Sequence, residues 1–189
     1  MRWRALAGLI AAAAVLAGCG APGPQAVAEV PDDPFGDCAA IVSDTATSGL
    51  PDVTLPCFHG GRSVRLSQLN GPVVVNLWAS WCPPCREELP AFQAMSQRTT
   101  GRVTVLGVVT HDDRDSAISV AEDLGLTFPA VIDDDSKLSM ELVRLRIATS
   151  ALPVTLFVNG GKVVHAYQGK ALTPASLNSL VDKYLGVSA

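Results

Sequence analysis

Charge is sparse in this chain. Asp, Glu, Lys and Arg make up 17% of its 189 residues, and the 14 basic side chains nowhere form a run. The clustered Lys and Arg that phosphate binding requires are missing, which excludes nucleic acid as a partner. Aromatic residues are few, at 5%, yet the 48% hydrophobic content is too high for a disordered segment and sufficient for a packed core. No apolar run reaches the roughly 20 residues of a membrane-spanning helix; the run from Ala5 to Leu16 falls short. Histidine is represented only by His59, His111 and His165, which are scattered and expected to be ordinary surface or loop residues. With a single Cys-x-x-Cys, a zinc site lacks its second pair of ligands, and no metal or other cofactor is expected.

What the chain does contain is five cysteines, and they divide by position. Arg2 and Arg4 precede the apolar run and small residues follow it up to Cys19, the plan of an export signal over residues 1–18. Its end, Leu16-Ala17-Gly18-Cys19, resembles the bacterial lipobox. That resemblance implies cleavage before Cys19, lipidation of this cysteine, and anchorage to the outer face of the cytoplasmic membrane. Removal of residues 1–18 takes two of the 14 basic side chains and none of the 18 acidic ones, so the net charge moves from −4 to −6. Residues 19–37, rich in Pro, Gly and Ala, are expected to form a tether. Residues 38–187 are then one domain, large enough for a substantial single core.

Within the domain, hydrophobic patterning predicts short strands at 53–58 and 63–66 and a continuous apolar strand from Val73 to Leu77, of the kind buried on both faces of a parallel sheet. A helix is expected from Pro84 to Gln97, then a strand at 103–109, a helix at 114–124, a strand at 128–132 and a helix at 136–146. A strand at 153–158, a turn at Asn159-Gly160-Gly161, a strand at 162–167 and a helix from Thr173 to Leu185 complete the chain. Strands alternating with helices indicate a largely parallel α/β sheet with an antiparallel edge.

The chemistry is concentrated in Trp81-Cys82-Pro83-Pro84-Cys85, between the buried strand and the first long helix. Two cysteines so spaced can close a small disulfide. Cys82 falls at the helix N-cap, where the helix dipole and free N–H groups stabilise a thiolate and make it nucleophilic. The donors within reach of an N-cap sulfur belong to the second and third helical residues, here Pro84 and Cys85, and Pro84 has no N–H. One donor stabilises a thiolate less than two do, which favours the disulfide form and makes the pair a reductant.

The stretch from Val75 to Pro90, Val-Asn-Leu-Trp-Ala-Ser-Trp-Cys-Pro-Pro-Cys-Arg-Glu-Glu-Leu-Pro, resembles the active-site signature of the TlpA/ResA group of membrane-anchored thioredoxin-like thiol:disulfide oxidoreductases. The similarity runs from about Pro51 to the C-terminus. It includes Gly125-Leu126-Thr127-Phe128-Pro129, similar to the strand-helix insertion of that group, and Leu152-Pro153-Val154-Thr155, similar to its cis-proline loop. The resemblance implies an α/β thioredoxin fold with a TlpA-type strand-helix insertion and an N-terminal strand extension. It makes Cys82 the attacking thiol, Cys85 the resolving thiol and Pro153 a cis-proline facing the disulfide. Trp81, Pro83, Pro84, Leu152 and Pro153 would line the substrate groove, with Leu152 offering main-chain hydrogen bonds. Trp78 is expected in the core, and Pro90 matches a proline that kinks the active-site helix. Thioredoxins carry a buried Asp six residues before the first cysteine; this sequence has Asn76, which cannot take a proton. The TlpA/ResA group instead carries a Glu three residues after the second cysteine. Glu88 matches it as the proton acceptor for Cys85, one turn along the same helical face.

The implied activity is reduction of protein disulfides outside the cytoplasm. Apocytochrome c is the implied substrate, in cytochrome c maturation, and a CcdA-like membrane protein the electron donor. An oxidase that installs disulfides is the alternative. A peroxiredoxin would carry Thr or Ser where this chain has Ala79, and a copper chaperone of the Sco type has three residues between its cysteines. Cys38 and Cys57 remain. In an exported protein they are expected to form a structural disulfide, worth about 3 kcal/mol in the chain-entropy picture, with free thiols or a second exchange pair as alternatives. Asp133-Asp134-Asp135 before Ser136 is expected to be a turn and helix N-cap, with a calcium site a distant second.

Overall fold

The structure, a computed structural model, describes residues 33–188. The expected signal peptide, the lipidation site Cys19 and most of the tether lie outside the described residues. A short antiparallel hairpin, β1 (Thr54–Pro56) and β2 (Ser63–Arg65), forms the N-terminal strand extension. The main sheet holds β3 (Val73–Trp78), β4 (Thr104–Thr110), β5 (Ala130–Asp133), β6 (Val154–Asn159) and β7 (Lys162–Gln168), in the order β5-β4-β3-β6-β7. β3, β4 and β5 are parallel, whereas β6 runs antiparallel to β3 and β7 antiparallel to β6. Helices α1 (Pro83–Arg98), α2 (Arg114–Leu124), α3 (Lys137–Arg144) and α4 (Pro174–Leu185) connect or follow the strands. This is the thioredoxin-like α/β fold expected from the sequence, but the sheet is mixed and not largely parallel, because β6 returns antiparallel beside β3 and β7 beside β6.

All six residues of β3, the polar Asn76 among them, are buried, as befits a central strand covered on both faces. Val74 and Trp78 point to one face, packed with Leu89, Phe92 and Met95 of α1, Ala117 and Ala121 of α2, and Leu177 and Val181 of α4. Val73, Val75 and Leu77 point to the other, packed with Leu138 and Leu142 of α3 and with the N-terminal residues Leu55, Val64 and Leu66. Each fully buried side chain of this kind contributes about 1.5–3 kcal/mol. The β6–β7 turn closes on Gly160 and Gly161, both at positive φ (54° and 75°), as a two-residue hairpin demands.

The domain begins earlier than Cys38. Residues 33–37, expected as the end of the tether, lie on the domain. Phe35 is 3% exposed and its ring lies 4.7 Å from that of Phe58, while the side chain of Asp33 is buried 3.7 Å from both Arg114 and His59. An isolated aromatic in a Pro- and Gly-rich stretch buries by itself, without the periodicity that would announce it. Cys38 and Cys57 are joined as a disulfide, both almost fully buried, so the arm is fastened to the end of β1. The acidic run supplies the cap of α3, as expected, through its first residue. Ser136, at the N-cap position of α3, makes no side-chain cap. The buried Asp133 does this instead, accepting from the N–H groups of Leu138 (3.2 Å) and Ser139 (3.3 Å).

Candidate active site

Helix α1 starts where its sequence allows. Cys82 has extended backbone angles at the N-cap, Pro83 and Pro84 occupy the first two helical positions, where a missing N–H costs no intrahelical bond, and no β-branched residue interrupts Pro83–Arg98. Cys82 and Cys85 form a disulfide with Cα atoms 5.3 Å apart. The Cys82 sulfur accepts from the N–H of Cys85 at 3.3 Å, and with two prolines before it this is the single helical donor at the sulfur. Cys82 is 4% exposed and Cys85 fully buried, so an incoming group meets Cys82 first. Trp81 beside it is 59% exposed, whereas Trp78 is in the core.

The sheet topology brings the proline loop to the same place. β6 is antiparallel to β3 with Val154 beside Leu77, so Pro153, just before β6, stands at the end of the sheet where β3 leads into the cysteine motif. The Leu152–Pro153 peptide is cis. Leu152 is half-buried and packs against both faces of the core, Pro83 is exposed and Pro84 half-buried. Because β4 is parallel to β3, the residues after Thr110 reach this end as well.

Glu88 lies one turn beyond Cys85 and is 1% exposed, in contrast to the exposed Glu87. Burial pushes its carboxyl up to about 7, a rise opposed by hydrogen bonds from the Leu172 N–H and the Asn76 side chain. Asn76 Nδ2 donates to Oε1 at 2.7 Å and Leu172 N–H to Oε2 at 2.9 Å, so both oxygens are held and the group is poised between acid and base near neutrality. Asn76, in the position where thioredoxins have an acid, is therefore the residue that orients one. Its signal was visible as the one polar side chain in the run Val73–Trp78. Leu172, which acts through its backbone, carries no sequence signal.

Two further groups escaped sequence reasoning. His111, expected to be ordinary, has φ 54° and its carbonyl accepts from Trp81 Nε1 at 2.8 Å. Asp112 binds Ser80. Both follow the end of β4, and only the parallel register shows that they land on the motif. Pro90 lies inside α1, exposed on its outer side.

Residues 47–166 match the AhpC/TSA family. Among curated relatives, the thiol:disulfide interchange protein DsbE of Escherichia coli is 31% identical over 118 residues, 60% of this chain and 60% of that protein, so the match spans less than two thirds of that relative's length. The thiol-disulfide oxidoreductase ResA of Bacillus subtilis is 30% identical over 131 residues, 67% of each chain. The crystal structure of a secreted Mycobacterium tuberculosis disulfide oxidoreductase homologous to DsbE shares the fold, with a TM-score of 0.61 at 21% identity, covering 70% of this chain and 96% of that one.

Proposed function

The chain belongs to the AhpC/TSA family of thioredoxin-like proteins, and from that membership and the geometry of the cysteine pair we propose that it is an extracytoplasmic thiol:disulfide oxidoreductase that reduces protein disulfides. The observation that carries this reading is a Cys82–Cys85 disulfide at the N-terminus of α1, one helical turn from a buried carboxyl group that titrates near neutrality. In the reduced protein the Cys82 thiolate attacks one sulfur of a substrate disulfide, forming a mixed disulfide and expelling the other substrate sulfur as a thiolate, which takes a proton from solvent. Cys85 gives its proton to Glu88 and attacks the Cys82 sulfur. The second substrate sulfur leaves and collects a proton, so the substrate gains two electrons and two protons while Cys82–Cys85 is left oxidised. Two electrons from a membrane donor of the CcdA type restore the dithiol.

A single N–H donor at the Cys82 sulfur supports the reducing direction over the oxidising one, because it leaves the thiolate under-stabilised. The substrate reading is an exported protein with a closely spaced cysteine pair, such as apocytochrome c, reached by a domain held on the outer face of the membrane through Cys19. Equilibration with glutathione tests the direction: a potential below about −200 mV is expected, and one near −120 mV would make the protein an oxidase. The trap variant Cys85→Ser, which strands the mixed disulfide on Cys82, is expected to retain exported substrates. Failure of the wild-type pair to exchange with glutathione would overturn the reading.

A further inference from the structure

A second group of polar contacts converges on the cysteine motif from the end of β4. The Asp112 carboxylate accepts from the Ser80 N–H through Oδ2 and, through Oδ1, from the Ser80 hydroxyl at 3.0 Å and from the Asp113 N–H at 3.0 Å. The neighbouring carbonyl of His111 holds the Trp81 indole, and His111 is itself fixed by its Nδ1 against Ser136 Oγ at 2.9 Å. The turn gripped in this way is closed by the Cys82 N–H bonding to the Ala79 carbonyl at 3.2 Å. Two hydrogen bonds to the Asp112 carboxylate and one to the His111 backbone carbonyl thus fix the two residues that immediately precede Cys82.

We propose that Asp112 is a positioning residue of the redox pair that also acts through its charge: it sets Ser80–Trp81 so that Cys82 stands at the N-cap of α1, and its carboxylate disfavours the Cys82 thiolate, keeping the pair reducing. This rests on Cys82–Cys85 being the exchange pair. The chemistry follows from sign. A helix N-terminus draws negative charge onto Cys82, but Pro83 and Pro84 have removed two of its donors, and a carboxylate bound two residues away opposes what is left. The disulfide and the neutral dithiol carry no charge at this sulfur, so Asp112 acts only on the thiolate, and its effect on the equilibrium appears only where that thiolate is populated. The other ionisable groups at this end of the sheet include Arg86, Glu87 and Glu88 from α1, His111, Asp113, Arg114 and Asp115 after β4, Asp133 of β5, which pairs with Thr110, and Asp134, Asp135 and Lys137 at the start of α3. Among the described residues, Asp112 is the only one of them with a side chain bonded to the Ala79–Trp81 turn.

The test compares the wild-type full chain with Asp112→Asn, which keeps the shape and can keep two of the three hydrogen bonds. The readouts are the rate of Cys82 alkylation against pH and equilibration with glutathione at two pH values. In Asp112→Asn the apparent pKa of Cys82 is expected to fall by about half to one unit. The dithiol:disulfide ratio relative to wild type should be unchanged at pH 6 and raised about threefold to tenfold at pH 9, or about 15–30 mV more oxidising. Asp112→Glu is expected to restore most of the wild-type value. Ser80→Ala, which leaves the carboxylate on the backbone N–H, should move the Cys82 pKa by less than about 0.3 units. An unchanged pKa in Asp112→Asn, or a shift in the equilibrium that is equal at both pH values, would overturn the charge role. Should Asp112→Asn fail to fold, Asp112→Ser carries the same comparison. A wild-type chain that does not exchange with glutathione defeats the proposed function, whereas exchange that is indifferent to Asp112 defeats only this inference.

Discussion

Glu87 and Glu88 are adjacent and chemically identical, and they do different things because a helix turns by about 100° between them. Glu87 faces water. Glu88 faces Asn76 and the backbone of Leu172, 84 residues further along the chain. Its carboxyl, pushed up to about 7 from an ordinary 4.5, makes a stability statement. The folded, oxidised protein holds the Glu88 proton more tightly than the unfolded chain does. The associated stability is complete below about pH 4.5 and is lost as pH rises through about 7. The oxidised wild type is therefore expected to lose at most about 3 kcal/mol from this source between pH 4.5 and about pH 8, and Glu88→Gln is expected to abolish that part of the slope. Denaturant melts at a series of pH values measure it. The same variant should slow release of the mixed disulfide without slowing the first attack by Cys82, since Cys85 loses its proton acceptor. A parallel fall in both steps in rapid-quench assays would contradict the assigned role.

At the scale of the element, α1 carries two opposed instructions. Its N-terminus is built to hold an anion, and its first two residues are the type that cannot donate to one. Replacing Pro84 by Ala adds an N–H at the second helical position. Pro84→Ala is expected to lower the apparent pKa of Cys82 by about one unit and make the disulfide more oxidising, which alkylation against pH will register. This much was legible in the sequence, because a cap, a proline pair and an apolar stripe are local signals. Which segments are strands was legible for the same reason, the Val73–Leu77 run marking a buried strand and the Gly160–Gly161 turn the antiparallel hairpin, but the placing of β6 antiparallel beside β3 was not. Contacts that join distant segments left no such trace. Asn76 could be seen as a polar interruption but not as the partner of Glu88, and nothing in the spacing of Asp112 places it on Ser80. Phe35 is a lone aromatic among prolines, and Asp133 caps α3 from five residues upstream of Leu138. In each case the information resides in which strand lies beside which.

At the scale of the whole molecule, the domain contains two disulfides of different standing. Cys38–Cys57 links residues 19 apart and fastens the N-terminal arm to β1, with both cysteines at 1–2% exposure. Cys82–Cys85 opens a helix at the rim of the sheet. Under a mild dithiol reductant, mass-mapped alkylation is expected to label Cys82 and Cys85 first, leaving Cys38 and Cys57 protected until denaturant is added. Replacing Cys38 and Cys57 together by Ser is expected to cost about 3 kcal/mol of stability and leave the potential of the exchange pair unchanged. Prompt labelling of all four cysteines would show instead that the arm opens readily.

The buried fastening has a consequence for turnover. A protein whose working bond is broken and remade in every cycle is bathed in the reagents that would undo any other bond of the same kind. By burying Cys38–Cys57 against Ala130 and Val131 at the start of β5, the fold insulates one sulfur circuit from the other, so electrons delivered to the domain are spent on the substrate and not on its own scaffold.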